Sequence, residues 1–438
     1  MSSKSISGFS KKSKSEKINW LVAQYLDSSP QAHDLLTTYW HPDAELQQKH
    51  DEFIENTLSN FYMPFAIAPN FQINGDIYAL PMVIEESSVV AAASYAAKFW
   101  MKRGGFSVQV ISTTKSGQIH LTYSGQKEAL TAYFERVRPA LIESIEPLSK
   151  SMKKRGGGLL DLQLESRTED LKDYYLIDAT FETKDAMGAN FINSCLEQIA
   201  AHFSANAIIA PEFENTQIRP QVVMSILSNH VPECLVRAQV SCPLEDLAQE
   251  GLSGQEFAEK FVQAIRIAET ETRRAVTHNK GIMNGVDAVV LATGNDFRAV
   301  EAGVHAYAAQ KGHYQSLSHA KIQDGQFIFW LELPLALGTV GGLTKLHPLV
   351  QVSMALLGHP DAPQLMRIIA VAGLAQNFAA VRSLVTTGIQ KGHMKMHLLN
   401  LLNQAEATTT EKEKAAVHFR DHEISNRTVA DYLDSLRN

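Results

Sequence analysis

Four ionisable residues, Glu86, Lys280, Asp296 and His393, lie at predicted boundaries between structural elements. A fixed lysine can stabilise negative charge on a carbonyl oxygen, while carboxylic acids and histidine can deliver protons. Each also has an ordinary explanation: a solvated cap for Glu86, a surface-loop lysine, a helix N-cap for Asp296 and a loop histidine. Taken together, the four predict a proton-transfer set with an oxyanion stabiliser.

Lys280 lies in the unusual stretch RAVTHNKGIMNG, residues 274–285, which follows a long amphipathic run. The apolar run VDAVVLAT comes next and is typical of a strand. Because glycine and asparagine tolerate unusual backbone conformations, we predict a bent helix-to-strand junction that presents Lys280.

Two glycine-containing segments could approach a ligand closely. KDAMGAN, residues 184–190, joins a predicted strand to a predicted helix, whose N-terminus would attract phosphate; a plain tight turn explains it equally well. GTVGG, residues 338–342, is similarly ambiguous. No GxGxxG follows a predicted strand, which argues against a Rossmann nucleotide site.

Composition excludes several classes of protein. The 438 residues are 45% hydrophobic and suffice for two or more domains. The net charge of −7 disfavours nucleic-acid binding, and no apolar run reaches the length of a membrane span. Three cysteines without a CxxC pair indicate a reducing compartment and predict neither disulfides nor a cysteine-based zinc site.

Hydrophobic periodicity predicts both helices and strands along the chain. An Asn-Gly pair at 74–75 indicates a β-hairpin, and the next helix is expected to begin at a Ser88 cap and end at Gly104–Gly105. Alternating strands and two helices after residue 106 suggest a ferredoxin-like insert. A capping box, SGQE, opens a long helix at 253, and later runs predict a helix from 297 and a strand from 327.

Several long motifs occur in an order that resembles the 3-hydroxy-3-methylglutaryl-CoA (HMG-CoA) reductase family in its soluble bacterial, class II form. The resemblance covers about residue 6 to the C-terminus, and Leu343 departs from it because the family usually has a small residue there. The motifs are FQINGDIYALPMVIEESSVVAAASYAAK, KDAMGANFIN, TRRAVTHNKGIMNGVDAVVLATGNDFRAVEAG, LGTVGG, VAGLAQN and IQKGHMKMH.

The resemblance implies an α+β fold with a large substrate- and CoA-binding domain, residues 1–107 and 219–388, built around a central helix. A ferredoxin-like, non-Rossmann cofactor domain would be inserted at 108–218, followed by a C-terminal helical flap at 389–438. It further implies a cytoplasmic homodimer with active sites at the subunit interface, without metal. The reaction would reduce HMG-CoA to mevalonate and free CoA with two NAD(P)H.

The resemblance also implies roles for the four ionisable residues. Lys280 would stabilise the developing oxyanion, and Glu86 would give a proton to the aldehyde oxygen if burial keeps it protonated near neutral pH. Asp296 would link Lys280 and Glu86. His393, just before the flap, would protonate the departing CoA thiolate.

Further residues are carried over as binding groups. The expected substrate contacts are Ser88, Arg274, Thr277, Asn284, Gln376 and Asn377, with Arg274 holding the terminal carboxylate. The expected cofactor contacts are Asp185, Met187, Gly188 and Asn190. Lys11 or Lys12 could contact CoA phosphates, against the alternative of a frayed terminus.

Position 149 bears on the choice of nicotinamide. Members that favour NAD have an aspartate seven residues before the glycine run, where this sequence has Ser149, followed by Lys150 and further cations. We therefore expect NADPH to be used at least as well as NADH. Two alternatives stay open: the same enzyme working oxidatively in mevalonate catabolism, and a non-catalytic CoA- or nucleotide-binding regulator.

Overall fold

The computed structural model describes residues 4–249, 251–386, 398–420 and 422–437. Its helices are α1 (Lys14–Tyr25), α2 (Pro30–Thr38), α3 (Ala44–Asp51), α4 (Val89–Met101), α5 (Lys127–Ser144), α6 (Glu146–Lys154), α7 (Ala189–Ile208), α8 (Gly254–Thr270), α9 (Thr272–Ala292), α10 (Phe297–Ala308), α11 (Leu343–Leu346), α12 (Pro348–Leu356), α13 (Ala362–Val385), α14 (398–404), α15 (Thr409–His418) and α16 (Asn426–Arg437). Its strands are β1 (Phe65–Ile73), β2 (Asp76–Val83), β3 (Ser107–Val110), β4 (Lys115–Thr122), β5 (Gly158–Ser166), β6 (Tyr174–Glu182), β7 (Gln221–Leu227), β8 (Leu235–Pro243), β9 (Ser318–Gln323) and β10 (Gln326–Pro334).

The predicted ferredoxin-like insert is present. Its four strands form an antiparallel sheet in the order β5-β6-β4-β7, and the helices α5 and α7 complete the β-α-β-β-α-β succession. Alternate residues of β4 and β6, such as Ile119 and Phe181, are fully buried with Phe134 and Phe203 of the two helices. This unit therefore has a hydrophobic core of its own.

The larger sheet has the order β3-β8-β10-β9, and β1 with β2 forms a separate hairpin. Since β3 pairs with β8, and β7 pairs with β4, the chain passes between the two sheets after residue 110 and after residue 227. These crossings lie beyond the limits of 108 and 218 that were expected for the insert. The division into domains stays a prediction.

The Asn-Gly hairpin is confirmed. Asn74 and Gly75 both have positive φ, at 51° and 99°, which the tight turns of two-residue hairpins require. The hairpin positions the segment that follows β2, which carries Glu86. The capping box at Ser253, the helix from 297 and the strand through 327 are likewise confirmed, and the three cysteines are buried and free.

The bent junction predicted at 274–285, and the strand expected after it, are wrong. Both belong to α9, a helix of 21 residues. The run from Val286 to Val290 has one polar residue, Asp287, and its four apolar side chains are buried in the core. A mostly apolar run of this length does not distinguish a strand from a buried helix. Lys280 consequently projects from a regular helix and does not lie in a loop.

Helix α13 lies at the centre of the large unit. Sixteen of its 24 residues are buried, and it packs against α9, α4, α8 and the large sheet. By length and composition alone it could cross a membrane, yet most of it is enclosed by protein. The apolar composition is that of a core helix.

The two long helices α9 and α13 approach closely at glycines. A Cβ atom on Gly285 would lie 2.4 Å from the carbonyl oxygen of Ala372, and one on Gly373 would lie 2.9 Å from Val286. Only glycine allows this distance between the helices. A Cβ atom on Gly281, one turn earlier on α9, would have no neighbouring atom outside its own helix turn within 4 Å.

The C-terminal helices α14, α15 and α16 share a small apolar cluster that includes Leu402, Ala415 and Leu433. The expected flap begins at 389, and its first residues lie outside the described part of the chain. Its function as a flap remains a prediction.

We expect Gly285→Ala to lower the free energy of unfolding by about 1–3 kcal/mol, because the added methyl group is forced against the α13 backbone. Gly281→Ala is the matched control on the same helix. It should be neutral or raise stability by up to about 1 kcal/mol through helix propensity. Denaturant unfolding measures both, and equal effects of the two substitutions would contradict the packing described here.

Candidate active site

A cavity of about 380 Å³ opens between α4, α9, α13 and the segment that precedes α4. Two of the four predicted catalytic residues and all six predicted substrate residues line it. They are Glu86, Lys280, Ser88, Arg274, Thr277, Asn284, Gln376 and Asn377. The structure therefore brings together residues that are separated by up to 291 positions in the sequence.

The Lys280 ammonium is paired with Glu86. Nζ lies 2.5 Å from Oε2 of Glu86, and Nδ2 of Asn284 lies 3.4 Å from the same oxygen. Lys280 and Asn284 share one face of α9 because they are four residues apart. The two paired side chains are 59% and 38% exposed, so the burial that a proton-donating Glu86 requires is not provided by one chain alone.

Ser88 begins α4 in an unexpected conformation. Its φ is 74°, and its side chain makes no capping hydrogen bond, so the predicted cap is wrong. Backbone strain in a non-glycine residue is often found at functional sites. The Ser88 hydroxyl, which lines the cavity, is therefore not used to cap α4.

Arg274 is half-buried and has no carboxylate partner among the described residues. Burial lowers the pKa of its guanidinium. The neighbouring Arg273, in contrast, is exposed and bonds Glu271 at 2.9 Å. An uncompensated guanidinium that lines a cavity favours an anionic ligand.

His278 is a functional candidate that the sequence did not reveal. It is 2% exposed, its Nδ1 lies 3.5 Å from Arg274, and its Nε2 lies 2.7 Å from Oγ of Ser318. Burial, with the nearby charges of Arg274 and His319, lowers its pKa to about 3. Its spacing of four from Arg274 would have been informative only if this stretch had been recognised as helical.

A second cavity of about 390 Å³ lies at the start of α7. It is lined by Met187, Gly188 and Asn190, which were predicted to bind the cofactor. Asp185 does not line this cavity; its Oδ1 instead accepts a hydrogen bond from the backbone N–H of Ala362 at 3.0 Å. Asp185 therefore joins the loop to the start of α13.

Gly188 makes the loop possible. Its φ is 101°, and a Cβ atom there would lie 2.7 Å from Cγ2 of Thr183. No side chain caps the helix that begins at Ala189, so the positive end of α7 is open towards the second cavity. Such a helix end suits a phosphate group.

Asp296 lines the second cavity and not the first. It caps α10, accepting from the backbone N–H groups of Arg298 and Ala299. Burial alone would raise its pKa, but the hydrogen bonds from the Arg298 side chain and these backbone groups outweigh that effect and lower it. Lys280 precedes the last residue of α9 by twelve positions, about 18 Å along the helix. Among the described residues Asp296 makes no hydrogen bond or ion pair with Lys280 or Glu86, so its linking role stays a prediction.

The predicted cofactor contacts at Ser149 and Lys150 are not supported by the position of these residues in one chain, and they stay predictions. Ser149 is 2% exposed and lies against Cys195 inside the small unit, while Lys150 is exposed and outside the second cavity. Arg155, at the end of α6, is the cation that lines this cavity. Arg155 follows Ser149 by six residues, which is more than one and a half turns of helix.

The other predicted residues are distributed as follows. His393 lies outside the described residues. Lys11 and Lys12 line neither cavity, and Leu343 lies beside Gly294 without lining the second cavity. Across the described ranges, no group of three His, Cys, Asp or Glu side chains is arranged to hold a metal ion.

Comparison with known proteins identifies a consistent set of relatives. Residues 17–398 match the family described as hydroxymethylglutaryl-coenzyme A reductase. The 3-hydroxy-3-methylglutaryl-coenzyme A reductase of Archaeoglobus fulgidus is 36% identical over 388 residues, 88% of this chain and 85% of the relative. A probable reductase of Borreliella burgdorferi is 34% identical over 352 residues, 80% and 77% of the two chains.

Solved structures agree with the sequence relatives. The class II reductase of Streptococcus pneumoniae, bound to NADPH in open conformations, is 37% identical with a TM-score of 0.72, covering 87% of this chain and 100% of that one. A second structure of the Streptococcus pneumoniae enzyme has a TM-score of 0.73, also at 37% identity, and covers 98% of this chain and 100% of that one.

Ser149→Asp should destabilise the protein by about 3 kcal/mol, because it would bury a carboxylate in the core of the small unit. Lys150→Asp, on the adjacent exposed position, should change stability by less than about 0.5 kcal/mol. Thermal or denaturant unfolding of the two variants measures the difference. A stable Ser149→Asp protein with altered cofactor preference would show instead that residue 149 faces the cofactor.

Proposed function

The chain belongs to the hydroxymethylglutaryl-coenzyme A reductase family, and we propose that it reduces HMG-CoA to mevalonate and CoA with two equivalents of NADPH. The observation that carries this proposal is the first cavity, in which the Lys280–Glu86 pair and the uncompensated Arg274 face the same space. Arg274 is available for the substrate carboxylate, and Lys280 is available for the reacting carbonyl oxygen.

The reaction makes two demands on these residues. Negative charge develops on the carbonyl oxygen at each reduction, and the Lys280 ammonium can bind that oxygen with little rearrangement. Glu86, hydrogen-bonded to Lys280, is suited to hold the proton that the aldehyde oxygen requires. Ser88, Thr277 and Asn284 supply neutral polar groups that can orient the rest of the acyl chain.

The second cavity is the proposed nicotinamide site, and the cofactor, when bound, supplies the hydride. The open N-terminus of α7, at Gly188–Asn190, suits its pyrophosphate. Arg155 suits a 2′-phosphate, since a guanidinium contacts phosphate at two points. The NADPH bound by the Streptococcus pneumoniae relative supports the same choice of cofactor here.

Since α9 separates Asp296 from Lys280, we infer that the working enzyme is a homodimer in which Asp296 of a second copy approaches Lys280 and Glu86. This arrangement would supply the burial that Glu86 lacks in one chain. The exposed apolar residues of the N-terminal region, among them Ile54 and Phe61 at 67% and 93%, are consistent with a covered surface.

Three further assignments remain proposals from the family resemblance. His393 would protonate the CoA thiolate, the protein would be cytoplasmic, and the reductive direction would prevail over mevalonate oxidation. The intact Lys280–Glu86 pair favours an enzyme over a non-catalytic regulator.

A mixture of two inactive variants tests the interfacial site. Lys280→Ala and Asp296→Ala should each lose nearly all turnover, because each removes a charged group from every site. After unfolding and refolding together, half of the dimers should be mixed, and each mixed dimer has one intact site, so about a quarter of wild-type activity should return. The assay is NADPH oxidation at 340 nm with HMG-CoA.

Separately refolded variants, mixed afterwards, provide the control and should stay inactive if the dimers do not exchange. Absence of recovery in the co-refolded sample would place both residues in the same subunit's site. Full activity of Lys280→Ala alone would contradict the oxyanion role.

Arg155→Ala should lower kcat/KM for NADPH about tenfold or more, while kcat/KM for NADH changes by less than about threefold, because only NADPH carries the 2′-phosphate. Lys154→Ala is the matched control, since Lys154 is the adjacent exposed cation and does not line the cavity. Equal losses of kcat/KM with NADPH and NADH would show that Arg155 does not distinguish the two cofactors.

A further inference from the structure

We propose that His278 is a positioning residue: it holds the Arg274 guanidinium towards the first cavity with a neutral acceptor, so that the full positive charge remains available to the substrate carboxylate. The inference rests on the proposed function, in which Arg274 binds that carboxylate. It assigns a purpose to a buried histidine that does not itself touch the reacting atoms.

The hydrogen bonds around His278 select one tautomer. A guanidinium only donates, so Nδ1, which lies 3.5 Å from Arg274, must accept. The ring proton is then on Nε2 and is donated to Oγ of Ser318 at 2.7 Å. The Ser318 hydroxyl in turn donates to Oδ1 of Asn377 at 2.7 Å.

One further contact opposes this direction. Nδ2 of Asn377 lies 3.2 Å from Nε2 of His278, but two N–H donors cannot bond each other, so this contact is only a close approach in the selected tautomer. The opposite tautomer would turn an N–H of the ring towards the guanidinium. Each tautomer therefore brings one pair of donors together: Nε2–H and Nδ2 of Asn377 at 3.2 Å in the proposed tautomer, or Nδ1–H and the Arg274 guanidinium at 3.5 Å in the other. We assign the first because it keeps the ring proton away from the charged donor.

The position of His278 keeps it neutral. It is 2% exposed, and Ser318 is fully buried beside it. The charged or titratable groups near it are Arg274 and His319, and both disfavour a second proton on the ring. A protonated ring would also lose the acceptor that faces Arg274.

A neutral acceptor differs from the usual partner of an arginine. Arg273 is held by the carboxylate of Glu271, which neutralises it. A carboxylate at position 278 would hold Arg274 as well, but it would compete with the substrate for the same charge. An apolar residue there would leave the long side chain free to adopt other rotamers.

Three substitutions at this position separate the possibilities. His278→Asn retains a neutral oxygen near the place of Nδ1, His278→Asp puts a carboxylate in nearly the same shape, and His278→Leu removes the acceptor. We expect KM for HMG-CoA to rise about tenfold in His278→Leu and at least as much in His278→Asp, but less than about threefold in His278→Asn. KM for NADPH and kcat should change by less than about threefold in all three.

Arg274→Ala completes the test, because His278 is proposed to act only through Arg274. In the Arg274→Ala background, His278→Leu should add no further increase in KM. If His278→Asp fails to fold, the comparison of His278→Leu with His278→Asn still tests whether a neutral acceptor at position 278 is needed for a low KM.

Four results would overturn the inference: an unchanged KM in His278→Leu, equal KM values in His278→Asn and His278→Asp, a fall in kcat without a change in KM, or additive effects of His278→Leu and Arg274→Ala. If Arg274→Ala itself leaves KM for HMG-CoA unchanged, the carboxylate role in the proposed function is wrong, and the inference about His278 fails with it.

Discussion

The contact between α9 and α13 at Gly285 is the constraint on which the candidate site depends. Because Gly285 has no side chain, the two helix backbones approach within a distance that a methyl group would prevent. The approach sets Arg274, Lys280 and Asn284 on one helix opposite Gln376 and Asn377 on the other. The β1–β2 hairpin and α4 then complete the cavity by bringing Glu86 and Ser88 to its edge. The described lining of the candidate site thus comes from packed core helices and from the segment between the hairpin and α4.

Two cations share this cavity but have different surroundings. Lys280 is paired with a carboxylate that can exchange protons, whereas Arg274 is held by a neutral imidazole and retains its charge. The difference matches the two tasks of the proposed reaction, since the reacting oxygen needs both a cation and a proton, and the substrate carboxylate needs only a fixed positive charge. Arg274 is half-buried, and charges interact more strongly away from water. The strength with which Arg274 binds the substrate carboxylate therefore depends on whether its protein partner is neutral or charged.

The length of α9 separates the proposed substrate cavity from the proposed nicotinamide cavity. The stretch from Arg274 to Asn284 carries the proposed substrate contacts of α9, and the C-terminal end of the helix leads to Asp296 at the proposed nicotinamide cavity. The two cavities share no lining residue among those described, so they are separate in one chain. An assembly that sets one copy's first cavity against another copy's second cavity would unite them, and this is the physical basis for the proposed dimer.

Local features could be predicted from the amino-acid sequence because their signals span only a few residues. The Asn-Gly turn, the capping box at Ser253, the ferredoxin-like succession of strands and helices, and the identity of most cavity residues all followed from neighbouring residues or from motifs. Tertiary structure decided the rest. A short, mostly apolar run does not distinguish a strand from a buried helix, so the first part of α9 was predicted as a bent junction and its last part as a strand. The burial of Ser149, the separation of Asp296 from Lys280, and the contact of His278 with Arg274 and Ser318 depend on which helix faces meet, and that information is distributed over residues far apart in the chain.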